Sequence, residues 1–494
     1  MRCTEPAFET NLSRPITHTR KPGYADLVGY FGGFDEFPAN ADLIEVNYWS
    51  RGADMKNFEA DGSWFLPDNP DRGVAGRITY SSERGLQLSL HGYLGSTTDE
   101  EYGAVHGLLY TGEKITLMNC LRTSLSFGEA TRSSWVAEIA MVGDHVADQE
   151  SARFDELHVT YSGLDFWLGR SGLVVDPHPT DCMLLVKYDR VPPIELFSDG
   201  STKIVADFQE SCEYKRTRAT VEQQARILIS SATDGSFRSL DNIATRLQEF
   251  LALACGQAVE VLEVEGIVGS TSVRVYYEPV RRASKPFSER AVCLRWSPQV
   301  SCQIGQWLSR YDLSLPAYAL YFGFLYNPGT YAEEKFLSMA RALEAYHRCT
   351  RNNNDIEPTA HEKRLSEIMD SAPAAHSKWL KDRLQFSNEP TLRKRLTDLA
   401  SDTANVLFTD MKKVKKATSS IVSARNGITH PDGLRKQSGE SLVYHTEWMK
   451  LFLEQLMFAE LGMTPDQVKA TLGQGDTRNR LDWLTEFDPD VGKH

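Results

Sequence analysis

Two residues near the end of the chain have side chains suited to chemistry at a phosphodiester. In the segment Arg425-Asn426-Gly427-Ile428-Thr429-His430, a histidine follows an arginine by five positions. An imidazole titrates near neutral pH, so His430 can accept the proton of an attacking 2′-hydroxyl or return one to a leaving oxygen. The guanidinium of Arg425 stays charged and can stabilise the charge that gathers on the phosphate, with Asn426 as a polar neighbour. This chemistry needs no metal ion.

The spacing alone is not specific, because it occurs twice. The second copy, Arg153 to His158, lies in a segment that alternates between apolar and polar residues like a half-buried strand. There the histidine is expected to face solvent or a partner strand. For the Arg425 copy, the alternative on residue chemistry alone is an arginine held by an internal carboxylate and a histidine that ends a helix.

The element that carries Arg425 is predicted to be an amphipathic helix. At about 100° per residue, one apolar stripe collects Val414, Ala417, Ile421, Ala424, Arg425 and Ile428. A guanidinium on such a stripe needs a carboxylate, a phosphate or a subunit interface, and we expect the stripe to run into a cleft between two subunits. Gly427 weakens the helix and Pro431 disfavours helical geometry at His430, so the chain is expected to turn there and return the imidazole toward Arg425.

Charge is distributed unevenly along the chain. The net charge of −13 argues against a protein that coats nucleic acid indiscriminately, yet residues 378–436 carry 13 basic and 6 acidic side chains, leaving −20 for the rest. Taken singly, these basic runs are typical of solvated helix faces. Together with Arg425 they form a candidate RNA-binding patch, whose members are Arg393, Lys394, Arg395, Lys412, Lys413, Lys415 and Lys416.

Two further polar residues lie on the apolar face of a predicted helix. His347 shares a face with Phe336 and Leu343, and Glu344 lies at its edge. Such residues are more often satisfied core or interface groups than catalytic ones. If they are functional, Glu344 would orient Arg425 or His430.

The secondary-structure pattern changes near residue 296. Before it, period-two segments separated by Gly, Pro and Asp predict strands. These are Val74–Tyr80, Gly85–Leu90, Lys114–Cys120, Trp135–Met141, Leu157–Tyr161, Met183–Tyr188 and Thr271–Tyr277, with one helix over Ser239–Cys255. After Pro298 the pattern is helical. We therefore expect an α+β protein, with a β-rich domain over 1–295 and an all-α bundle over 296–494.

Composition limits the other function classes. The eight cysteines form no Cys-x-x-Cys pair and no zinc-like grouping with histidine, so we expect reduced thiols, no structural metal and no cofactor. The N-terminus lacks an apolar signal core, and no run of 18 apolar residues occurs. The cytoplasm is the expected location, without a membrane partner.

The Arg425, Asn426 and His430 pattern resembles the active-site motif of the HEPN superfamily, in which an arginine, a polar residue and a histidine close a helix. The chain is similar in particular to the ApeA type of anti-phage HEPN protein. The resemblance rests on Glu333–Arg348, Leu380–Leu384 and Leu392–Leu396 in the second half, and on Gly76–Tyr80, Leu86–Gly92 and Val105–Leu109 in the first. Many HEPN toxins have a tyrosine two residues after the histidine; here that residue is Asp432, so features tied to the tyrosine are not carried over.

The resemblance implies a homodimeric, metal-independent endoribonuclease that leaves a 2′,3′-cyclic phosphate and cuts RNA such as transfer RNA during abortive infection. The N-terminal domain would sense an infection signal, with a phage protein as the trigger, or it would restrain the nuclease. Two other hypotheses remain open. One is a non-catalytic HEPN module that binds nucleotide or RNA beside a β-rich recognition domain. The other is a carbohydrate-binding β-domain with a helical dimerisation tail.

Overall fold

Strands occupy the first half of the described chain and helices the second. The computed structural model describes residues 57–81, 84–128, 131–178, 183–277, 283, 285–402, 405–429 and 438–486. These residues belong to one compact unit of the chain that begins at Gly52. His430 lies outside the described residues, as does Asp432.

The elements of the first half are β1 (Phe58–Leu66), β2 (Asn69–Ser81), β3 (Gly85–Leu90), β4 (Glu101–Leu109), β5 (Lys114–Ser126), β6 (Arg132–Ala137), β7 (Ile139–Val142), β8 (Glu156–Tyr161), α1 (Leu164–Leu168), β9 (Leu173–His178), β10 (Met183–Tyr188), β11 (Ile194–Ser198), β12 (Thr202–Lys215), β13 (Arg218–Ser231), α2 (Phe237–Cys255), β14 (Val261–Val268) and β15 (Thr271–Tyr277). The elements of the second half are α3 (Val300–Tyr326), α4 (Ala332–Thr350), α5 (Pro358–Ser371), α6 (Ser377–Leu384), α7 (Leu392–Ala400), α8 (Met411–Thr429), α9 (Gly439–Glu460), α10 (Pro465–Leu472) and α11 (Gly475–Glu486).

The first six strands close into an antiparallel barrel. They pair in the order β5-β4-β1-β2-β3-β6, and β6 pairs back with the second half of β5. Trp64 is fully buried in the barrel core and donates from Nε1 to the carbonyl of Gly76 at 3.1 Å. A Cβ at Gly107 would lie 2.6 Å from the Trp64 ring, so this strand position requires glycine.

The first half of β5 continues the sheet in the other direction. It pairs with β7, and β15, β14, β8, β13, β12 and β11 follow in that order. Helix α2 covers this part of the sheet through buried residues such as Leu240 and Leu247. The strand predictions over Gly85–Leu90 and Thr271–Tyr277 are confirmed, whereas the strand predicted over Trp135–Met141 is two strands.

The helices of the second half share one hydrophobic core, which we name the common core, with α2 and with strands such as β8 and β13. Helix α3 packs against α2, β11 and α4, while α4 packs against α7, α8 and α9. The buried cluster runs from β8 through α2 to α9, and so it crosses residue 296 without interruption. Strands before this point and helices after it make the α+β architecture as expected. The domain boundary at 295/296 stays a prediction. Among the described helices, none combines the length and apolar composition that a membrane span needs.

Candidate functional site

Helix α8 has four lysines in its first two turns, where the positive end of the helix dipole disfavours cations. Asp410 caps the helix by accepting hydrogen bonds from the backbone N–H groups of Lys412 at 2.9 Å and Lys413 at 3.3 Å. The dipole, and repulsion between lysines three or four residues apart, both disfavour cations in these first turns. All four lysines are exposed, and Lys412, Lys413 and Lys415 have no ion pair within the part of the chain that the structure describes. A cation cluster that local energetics oppose is typical of an anion-binding surface.

The apolar stripe of α8 is filled by the protein's own bundle. Val414, Ala417, Ile421 and Ala424 are buried in the common core, and Ile428 packs against it while partly exposed. Helices α4, α7 and α9 of the same chain cover the buried part of the stripe. A cleft between two subunits at the end of the stripe stays a prediction. The helix also runs through Gly427 to Thr429, so glycine does not break it.

Arg425 lies at the edge of the buried stripe and is half-exposed. Its Nη1 donates to Oδ1 of the exposed Asn426 at 3.3 Å, which restrains the guanidinium at the helix surface. The Thr429 hydroxyl donates to the Arg425 carbonyl at 2.9 Å and closes the last turn. No carboxylate of the described residues lies within 4.0 Å of the Arg425 guanidinium. The predicted neighbours Arg425 and Asn426 thus meet, and the placement of His430 stays a prediction.

Two adjacent cations of α7, Arg393 and Lys394, have different partners elsewhere in the chain. The exposed Arg393 donates from Nη1 to Ser419 Oγ at 2.7 Å and links α7 to the middle of α8. Lys394 pairs with Asp355, and that ion pair lowers the pKa of the Asp355 carboxyl. Arg393 is therefore exposed beside the lysine-rich helix, whereas an aspartate already neutralises Lys394.

Arg395 does not belong to an RNA-facing surface. Its side chain is fully buried between α4 and α7, so the sequence-based assignment of Arg395 as an RNA-binding residue is wrong in this fold. The guanidinium contacts Glu389 Oε2 at 3.3 Å and His347 Nδ1 at 3.1 Å. Spacing on α7 explains the error: Arg395 is adjacent to two exposed cations, but it points to the same side as the buried Leu399.

His347 is buried in this arrangement, and Glu344 lies partly exposed beside it. Burial and the neighbouring Arg395 guanidinium lower the pKa of His347, whose Nε2 lies 3.5 Å from Asp398 Oδ2. Because Arg395 donates to Nδ1, the neutral imidazole carries its proton on Nε2. Glu344 pairs with Arg348 at 3.3 Å, and not with Arg425 as the functional hypothesis required. His347 joins α4 to α7 through Arg395 and Asp398, whereas the Glu344–Arg348 pair lies within α4. These contacts are the structural alternative for the two residues.

Both residues of the other arginine–histidine copy contact carboxylates. Arg153 pairs with Asp234 at 3.4 Å. His158 lies on β8 in the middle of the sheet, nearly buried, with Nε2 3.0 Å from Glu156 Oε2 and Nδ1 3.7 Å from Glu265 Oε2. The predicted strand at this copy is confirmed, and of the two expected surroundings the histidine has the partner strand, because Glu265 lies opposite it on β14.

Sequence reasoning missed the residues that join these helices. Ser419 and Glu389 each contact an arginine that lies on another helix or further along the chain, and no local pattern marks such partners. Asp410 had a recognisable signal, since an aspartate just before a helical pattern is a preferred N-cap. Among the residues with described positions, no group of three His, Cys, Asp or Glu side chains is arranged to hold a metal ion.

Comparison with known proteins identifies the family. A model of the ApeA N-terminal domain 1 matches residues 59–300, and a model of the ApeA-like HEPN domain matches residues 337–467. No curated protein and no solved structure matches the chain significantly. The first range contains the barrel and most of the sheet, and the second contains α7, α8 and Arg425. The chain therefore belongs to the ApeA-type anti-phage HEPN proteins.

Proposed function

We propose that this protein is a metal-independent endoribonuclease whose active site lies at the end of α8. The observation that carries the proposal is the state of Arg425: a half-exposed guanidinium, held by Asn426, with no carboxylate of the described residues within 4.0 Å. A cation in that state at a partly apolar helix edge is suited to binding a phosphate. The membership of the chain in the ApeA-type HEPN proteins supports the same activity.

Each candidate residue has a distinct role in the proposed reaction. His430 accepts the proton of the RNA 2′-hydroxyl, whose oxygen attacks the adjacent phosphorus, and Arg425 stabilises the charge on the non-bridging oxygens. The bond from phosphorus to the 5′-oxygen breaks, and that oxygen takes up a proton. The products are a 2′,3′-cyclic phosphate and a 5′-hydroxyl. Asn426 keeps the guanidinium oriented, and the α8 lysines with Arg393 bind flanking phosphates.

The remaining assignments concern the whole protein. We assign the β-rich residues 1–295 to sensing infection, with a phage protein as trigger, or to restraining the helical residues 296–494. Transfer RNA is the proposed substrate, because cutting it stops translation in an infected cell. A homodimer that brings two Arg425 residues to one cleft is proposed from the family resemblance, since the core of α8 is already filled within one chain.

The proposed chemistry is tested by the ends of the cleaved RNA. Purified protein is incubated with total RNA, with and without phage lysate, in excess EDTA, and the products are ligated before and after removal of cyclic phosphates. We expect cleavage to persist in EDTA and ligation to require that removal. Strict magnesium dependence with 5′-phosphate ends would contradict the mechanism. Binding of RNA without cleavage under either condition would favour the non-catalytic HEPN module.

A further inference from the structure

The segment between α4 and α7 forms an arm that is closed at its base. The backbone N–H of Asp355 donates to the Asn388 carbonyl at 2.6 Å. The Asn388 side chain accepts from the N–H of Ile356 and donates to its carbonyl, each at 3.1 Å. Residues 356–388, which we name the α5–α6 arm, therefore leave and rejoin the bundle at one point.

The arm buries little of its own surface. Within α5 the one buried residue is His361, and within α6 there is none. Helix α6 packs mainly against α5 and the short turn Ala374–His376. Side chains of α6 are consequently available to a partner along most of its length.

An exposed tryptophan lies among cations on α6. Trp379 is 61% exposed, although an indole of this size is usually well buried. Lys378, Lys381 and Arg383 surround it in the sequence, are exposed, and form no ion pair with any residue whose position is described. Trp379 and Arg383 are four residues apart and share a helix face. An exposed aromatic ring beside unpaired cations is the combination that binds single-stranded nucleic acid.

We propose that the α5–α6 arm binds unpaired RNA, with Trp379 stacking on a base while Lys378, Lys381 and Arg383 contact phosphates. This inference rests on the proposed function and narrows its substrate class to RNA whose bases are exposed, such as a loop. Stacking on Trp379 requires an unstacked base, which a continuous duplex does not offer. The arm thus selects for single-stranded structure, while Arg425 and His430 perform the chemistry.

The arm is joined to the active-site helix through two polar contacts. Lys394 on α7 pairs with Asp355 at the base of the arm, and Arg393 on the same helix donates to Ser419 on α8. Ser419 precedes Arg425 by six residues, which is about 9 Å of helix. An RNA strand held by α6 is therefore anchored to the same rigid elements that carry Arg425.

Charge decides between RNA and a protein partner for this surface. The core of a protein interface is depleted of lysine, whereas α6 presents two lysines and an arginine beside its tryptophan. Tyr331 offers a useful contrast, because it is 77% exposed but precedes the acidic residues Glu333 and Glu334. It lacks the cations that an RNA-binding aromatic residue needs.

The test measures RNA affinity in the full-length His430→Ala protein, so that cleavage does not interfere. The probe is a fluorescein-labelled 20-nucleotide RNA without self-complementarity, used single-stranded and as a duplex. We expect Trp379→Ala to weaken single-strand binding about tenfold, with an unchanged salt dependence and unchanged duplex binding. Lys381→Ala should reduce the slope of log affinity against log salt by about 0.7. Tyr331→Ala and Lys469→Ala serve as matched exposed controls and should bind like the parent.

Each alternative result has a distinct meaning. Unchanged single-strand affinity in Trp379→Ala would overturn the role of the arm and leave the nuclease proposal intact. Altered oligomeric state by light scattering, without altered affinity, would overturn it in favour of a protein interface. Failure of the parent protein to bind either probe would overturn both this inference and the proposed function. Retained affinity in Trp379→Phe would support stacking, because phenylalanine preserves an aromatic face.

Discussion

Alanine substitution of Arg393, Lys394 and Arg395, one at a time, should have three different outcomes. The three cations are consecutive, but only Arg395 is fully buried. Arg395→Ala removes the guanidinium between Glu389 and His347 and leaves a cavity between α4 and α7. Breaking a buried charge pair costs about 3–5 kcal/mol. That is a large part of the roughly 5–15 kcal/mol by which a typical protein is stable.

The measurement is equilibrium urea unfolding combined with RNA binding. With a slope of about 3 kcal/mol per molar urea, the Arg395→Ala midpoint should fall by about 1 M or more. Arg393→Ala and Lys394→Ala should unfold near the wild-type midpoint, because both side chains are exposed. Arg393→Ala alone of the three should weaken RNA binding, since Lys394 is paired and Arg395 is inaccessible.

Arg395→Met keeps the test informative if Arg395→Ala does not fold. Methionine fills much of the same volume, and Glu389 retains its ion pair with Arg348 at 2.6 Å. We expect a smaller loss of stability and unchanged RNA affinity. The reasoning is refuted if Arg395→Met or Arg395→Ala unfolds at the wild-type midpoint and binds RNA with a reduced salt slope.

Three further results are expected. Burial raises the pKa of Asp241 from 3.8 to about 6, so its carboxylate destabilises the fold increasingly as pH rises from about 4 to 6. Asp241→Asn should therefore raise the free energy of unfolding at pH 7.5 by up to about 3 kcal/mol, but not at pH 4, and an equal effect at both pH values would contradict this. Replacing Lys412, Lys413 and Lys415 together by alanine should reduce the salt slope of single-stranded RNA binding by about 2, and an unchanged slope would exclude them from the interface. If two chains share one cleft, mixing wild type with excess Arg425→Ala protein should lower the cleavage rate more than dilution of the wild-type chain alone. A rate that falls only in proportion to dilution would exclude a shared site.

Local patterns in the sequence predicted the elements better than their pairing. Gly85–Leu90 alternates strictly and is bounded by turn residues, so the strand follows from neighbouring residues alone. Barrel closure is different, because β6 must return to the far half of β5, and that depends on packing around Trp64. The break at Glu138 that divides β6 from β7 likewise follows from two different pairing partners.

The candidate site was predictable to a similar degree. Helical periodicity placed Arg425 within an apolar stripe, because the stripe is a property of one helix, whereas the structure places Arg425 at its half-exposed edge. It did not reveal that neighbouring helices of the same chain fill that stripe. Periodicity on short α7 likewise did not separate the buried Arg395 from the exposed Arg393, since their partners Glu389, His347 and Ser419 depend on tertiary structure.

The central claim is that Arg425 and His430 cut RNA. The most direct test compares Arg425→Ala and His430→Ala with the matched pair Arg153→Ala and His158→Ala in an RNA cleavage assay, after circular dichroism has established that all four proteins are folded. Loss of the proton-transfer group or of the phosphate-stabilising cation should each reduce the rate by at least about 100-fold. The Arg153 and His158 variants should cleave at nearly the wild-type rate. Full activity in Arg425→Ala or His430→Ala, with loss in the other pair, would contradict the account.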